Sequence, residues 1–145
     1  MAPVRVASGD GRQLLQTRWL SILFAAHLAT SLAHHLHNAL WLHEYPNLPP
    51  SLSSLRVAGA WATEALIGLF GYLMVRVGNR LGGLVVLGVF GLFGFLGLAH
   101  YQLAPPSAHS IAMNASIIGE ALSGASLVAF VVWCFASAPV PKGQR

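Results

Sequence analysis

Four long apolar blocks, each free of lysine and arginine in its interior, constrain this chain more than any other feature. About 20 such residues wound as a helix, at ~1.5 Å per residue, cover the ~30 Å hydrocarbon core of a bilayer. The blocks lie at about 19–42, 55–77, 81–101 and 109–135. The pattern predicts an all-α integral membrane protein, a four-transmembrane-helix bundle forming one domain over residues 1–145 with the lipid bilayer as its solvent. Only 8% of the residues are charged, against about a quarter in a soluble domain, which argues against a water-soluble bundle.

The connections carry the signals that stop and start helices. Pro46, Pro49 and Pro50 precede Ser51, Ser53 and Ser54 after the first block, Arg76 to Arg80 form a tight link, and Pro105, Pro106 and Ser107 lead into the fourth block. The first block is too long and too rich in histidine for a signal-peptide core, and no small-x-small cleavage site follows it. Residues 1–18 read as a short cytoplasmic tail.

Charge orients the bundle. With the N-terminus inside, Arg5, Arg12, Arg18, Arg76, Arg80, Lys142 and Arg145 share one side, and only Arg56 falls on the other. That bias is the positive-inside pattern, so both termini are expected in the cytoplasm, across a bacterial inner membrane or its equivalent. The net charge of +4 thereby finds a use that involves no nucleic acid, and no basic patch with interleaved aromatics is present.

The polar residues inside the blocks carry the functional signal. The first block holds His27, His34, His35, His37 and Asn38; the second holds Glu64; the fourth holds Asn114, Ser116 and Glu120; His100 and His109 stand at the outer ends of the third and fourth. Counting inward from the outer surface at helical rise, His27, Glu64 and Glu120 reach similar depth near the bilayer middle. At about 100° per residue His27, His34 and Asn38 share one face, while His35 points about 80° or more away and is the weaker candidate. A carboxylate near the bilayer centre costs a few kcal/mol and normally faces the bundle interior. No lysine or arginine lies at that depth to compensate it.

A transition metal ion (copper, iron, zinc or manganese) accounts for these residues together, because imidazole and carboxylate ligands projecting from facing helices suit such ions. The candidate ligands are His27, His34, Glu64, His100, His109 and Glu120, with His27, Glu64 and Glu120 in a deep layer and His34, His100 and His109 nearer the surface. A haem b held by His34 with His100 or His109 is the alternative cofactor, and the glycines at 83, 88, 91, 94 and 97 serve either helix packing or a flat ring. A proton-coupled carrier, a pocket for a lipophilic molecule, and a non-catalytic small subunit of a larger membrane complex are the other readings; a homo-oligomer is compatible with each. Whether the protein is an enzyme is left open, and oxidative chemistry is the class such a centre would suit. The single Cys134 excludes an intrachain disulfide, the single lysine in the tail excludes a retinal Schiff base, and no glycine-rich phosphate loop is present.

Overall fold

The computed structural model describes residues 9–137, with side chains from Leu15 onward. The expected tails with Arg5, Lys142 and Arg145, and the side chain of Arg12, lie outside the described residues. The described chain is 84% helical and contains no strand. Four helices form the bundle: α1 (Gly9–Leu40), α2 (Ser54–Arg76), α3 (Arg80–Leu103) and α4 (Ile111–Ala136). The last three are long and apolar enough to cross a membrane. Helix α1 has 32 residues and falls below the same apolarity because of its histidines and asparagine. It starts at Gly9, ten residues before the block expected at 19–42, so residues 9–18 are helical rather than an irregular tail.

Local chemistry sets the boundaries. The Ser53 side chain accepts from the Arg56 amide at the start of α2, and Asn79 accepts from the Gly82 amide at the start of α3. Ser110 caps α4 by accepting from the Met113 amide at 3.2 Å. Each cap satisfies one of the four amides that a helix start leaves unpaired. Between α2 and α3 the chain reverses through Gly78, whose φ of 95° lies in the left-handed region that glycine tolerates.

Helix α3 changes character partway. It is α-helical to Phe93, passes through a 3-10 turn at Leu96–Ala99, and ends in one helical turn at His100–Leu103. The cause lies at the Phe90 carbonyl, which accepts from His27 Nε2–H at 3.1 Å. The Gly94 amide bonds to the Gly91 carbonyl instead, at 3.3 Å. A side chain that enters the i→i−4 ladder in this way bends a helix.

The helices form a ring in which α1 and α3 each pack against both α2 and α4. Near the Arg76–Arg80 link the centre is apolar, filled by Leu20, Phe24, Leu84, Leu87, Phe90, Leu127 and Val131. The Phe24 and Tyr72 rings stack there at 4.7 Å. Toward the proline-rich loops the centre becomes polar. Helices α3 and α4 come close where Gly91 faces Gly124, each with the other's carbonyl where a Cβ would stand, the backbone approach by which helices associate in lipid.

Candidate metal centre

The buried stripe of α1 organises the polar half. Gln16, Leu20, Phe24, His27, Ser31, His34 and Asn38 are all buried, at steps of three or four residues, so one seam of the helix faces inward throughout. From Trp19 to Leu40 the residues turned outward are Trp19, Ile22, Ala25, Ala26, Ala29, Leu32, Ala33, Leu36 and Leu40, every one apolar. The helix is apolar outside and polar inside, the reverse of a surface helix in water.

Glu120 of α4 stands at the middle of the polar half and is 1% exposed. Its Oε2 lies 3.8 Å from His34 Nε2 and its Oε1 lies 3.8 Å from His35 Nδ1. On the far side of His35, Nε2 lies 3.8 Å from Oε2 of Glu64, from α2. These separations exceed a hydrogen bond, and both oxygens of Glu120, Oε2 of Glu64 and the Ser31 hydroxyl oxygen are buried without a hydrogen-bond partner. One ligand atom each from His35, Glu64 and Glu120 lie within 4.8 Å of one another. Gly97, on the 3-10 turn of α3, borders the same space: a Cβ there would stand 3.3 Å from Glu120 Oε2 and 3.4 Å from His34 Nε2.

Both central histidines hold a lone pair toward the carboxylates. A carbonyl can only accept, so His35 Nδ1 carries the proton that goes to the Ser31 carbonyl at 3.0 Å, which leaves Nε2 as an acceptor facing Glu64. The Ser116 hydroxyl donates to the Met113 carbonyl at 2.9 Å, so it accepts from His34 Nδ1–H at 3.3 Å. His34 Nε2 is then a lone pair beside Glu120, with Asn38 Nδ2 at 3.4 Å. Fixing one ring nitrogen as a donor so that the other can ligate is how proteins orient metal-binding histidines.

The other expected ligands fall into two places. His27 lies deeper and apart, with Nε2 committed to the Phe90 carbonyl and Nδ1 within 2.9 Å of the Ser123 hydroxyl. His100 and His109 form an upper group with Tyr45 and Tyr101: the His100 and His109 rings are 6.2 Å apart, and Tyr45 lies 4.9 Å from His100. Asn38 joins the levels, its Nδ2 lying 3.4 Å from His34 Nε2 and 3.1 Å from His100 Nε2. The phenol of Tyr45 bonds to His37 Nδ1 at 2.9 Å, and burial pushes its pKa above the ordinary phenol value.

The structure thus brings His34, Glu64 and Glu120 together, sets His100 and His109 above them, and places His27 outside the group. His35, ranked as the weaker candidate, is the residue that bridges the two carboxylates. Its azimuth is wrong for the seam that carries His27 but right for the side of α1 that packs on α2. Counting along the helices set Glu64 level with His27 instead, so the His35–Glu64 contact had no depth signal in the sequence. No protein-family model matches the chain, and searches of curated proteins and of solved structures return no match.

Proposed function

We propose that the protein is a four-span membrane protein that holds a transition-metal ion between His35, Glu64 and Glu120, with His34 on the opposite side of Glu120. The observation that carries the reading is two carboxylates with buried oxygens from diagonal helices, bridged by one histidine whose lone pair faces the gap. The three ligand atoms need to move by only about 1 Å each to meet one ion at the ~2.0–2.2 Å usual for nitrogen and oxygen ligands. A divalent cation would neutralise both carboxylates at once, where Arg56, Arg76 and Arg80 stand at helix ends and Arg18 lies in α1 near Gln16, which Arg80 bonds. Iron, manganese or zinc suits a set dominated by carboxylate and imidazole, and copper is the remaining candidate. An ion is favoured over haem because Asn38, not a slot, bridges His34 and His100.

The apolar exterior of α1 from Trp19 to Leu40 supports counting it as the fourth span, since its polar residues are turned away from lipid. Both termini then share the side of the Arg76–Arg80 link, and the polar half opens toward the other side. The apolar fill of Leu20, Phe24, Leu87, Phe90 and Leu127 closes the inner half, which favours an ion that is held over one that is carried through.

The test is elemental analysis of protein purified in mild detergent without chelator. The expected result is about one equivalent of iron, manganese, zinc or copper per chain, lost in Glu64→Gln and Glu120→Gln while both variants still insert. Full metal content in both variants, or none in the wild type after reconstitution, refutes the site.

A further inference from the structure

The upper histidines carry an unmet demand of their own. His109 donates Nδ1–H to the Pro105 carbonyl at 3.1 Å, so its Nε2 is a lone pair, and that nitrogen is buried without a partner. His100 Nδ1 is also buried without a partner. The two side chains are 9% and 7% exposed, and the rings meet nearly edge to face at 73°. Two buried imidazole nitrogens left unpaired in one place cost about 1–3 kcal/mol each unless something binds them.

The surroundings hold this pair in position. Asn114 Nδ2 donates to the carbonyls of Pro106 and His109 at 3.0 and 3.2 Å, and the Tyr101 hydroxyl donates to Asn114 Oδ1 at 2.7 Å. Asn47 Nδ2 donates to the Leu103 carbonyl at 2.8 Å. The loop between α3 and α4 is therefore tied to α4 on both sides of His109, and the end of α3 that leads into it is tied to the turn at Asn47.

Asn38 supplies the remaining requirement. With Nδ2 toward His100 Nε2, the proton of His100 sits on Nδ1 and Asn38 Oδ1 has no donor. Turning the amide over withdraws Nδ2 from His34 Nε2, lets Oδ1 accept from His100 Nε2–H, and makes His100 Nδ1 a second lone pair, on a ring 6.2 Å from that of His109. Each imidazole would then have its far N–H held by an amide-type oxygen, the arrangement that sets a histidine as a ligand.

From this geometry we infer a second cation site, in which His100 Nδ1 and His109 Nε2 bind a first-row transition-metal ion at the mouth of the polar half, with water completing its shell. The all-imidazole donor pair favours copper or zinc over the harder ions that the carboxylate site suits. Asn38 links the two levels, because the amide that frees His100 to bind is the one that lies against His34. The site stands independently of the carboxylate centre, and its role as the first stop for an ion moving inward rests on that centre.

The probe is Cu(II) titrated into detergent-purified protein, with pulsed electron paramagnetic resonance counting coupled imidazoles. The Glu64→Gln/Glu120→Gln double variant is expected to retain about one Cu(II) coupled to two imidazoles, and adding His109→Gln is expected to weaken that binding at least about tenfold. Wild-type protein should show a two-imidazole signal that the single His109→Gln variant lacks, which keeps the test decisive where the double variant does not fold. No two-imidazole signal in either protein overturns the upper site and leaves the carboxylate site standing. A signal that survives His109→Gln at full affinity also overturns it. A double variant with the metal content and spectrum of wild type supports the upper site and refutes the carboxylate one.

Discussion

Replacing Glu120 with leucine separates a ligand from a structural residue, because the two roles predict opposite signs. Glu120 is 1% exposed and its oxygens make no well-formed hydrogen bond, with the Ser31 hydroxyl nearby. Each buried polar atom left unpaired costs about 1–3 kcal/mol, so removing the carboxyl should stabilise the metal-free protein by about that amount. At roughly 3 °C per kcal/mol for a chain of this size, the midpoint of thermal unfolding rises by about 3–9 °C. Metal acts the other way: at 100 times its Kd it stabilises the wild type by about 2.7 kcal/mol, or near 8 °C on the same scale, and the leucine variant not at all. Glu120→Gln is the control, since it keeps a buried polar group and should lose the metal response without the gain in stability. The assay is thermal unfolding in detergent by circular dichroism, with and without metal. If Glu120→Leu unfolds several degrees below metal-free wild type, the carboxyl is a structural partner and the reasoning fails. A full metal response in the variant refutes it equally.

Three further outcomes follow from the geometry. Gly97→Ala puts a methyl group 3.3 Å from Glu120 Oε2 and 3.4 Å from His34 Nε2, and it should weaken metal binding by about tenfold, or 1.4 kcal/mol, with helix content unchanged; an unaltered affinity by titration would show that the space beside Gly97 is not used. His27→Leu strands the Phe90 carbonyl and should cost about 1–3 kcal/mol in thermal stability while metal stoichiometry is kept; loss of the metal at wild-type stability would instead return His27 to the ligand set. With Cys134→Ala as background, Leu15→Cys and Val77→Cys should react with a membrane-impermeant maleimide only after the cells are opened, and Asn47→Cys in intact cells. Labelling of positions 15 and 47 from the same side would mean that α1 does not cross.

Much of the architecture was legible along the chain, because helix existence depends on local chemistry. The apolar runs, Pro49 and Pro50, and the Arg76–Arg80 link foretold α2, α3 and α4 to within a residue or two at most ends. The interior position of Glu64 and Glu120 followed from the cost of a carboxylate in hydrocarbon. The start of α1 at Gly9 was missed because polar residues 9–18 lack an apolar period, and the helix continues there without needing one.

What the chain alone decided, then, is which residues are forced inward and at what depth; what only the tertiary structure decided is which of them meet. Depth is counted along one helix, whereas a meeting depends on the azimuths of two or three helices at once. His27 and Glu120 matched in depth, yet the Phe90 carbonyl of α3 accepts from His27 Nε2–H and takes it out of the group. His35, about 100° from His34, lay on the flank of α1 that α2 covers, so packing gave it both carboxylates. The break in the α3 ladder is a tertiary event: His27 on α1 bonds the Phe90 carbonyl, and the 3-10 turn that follows holds Gly97 at the edge of the site.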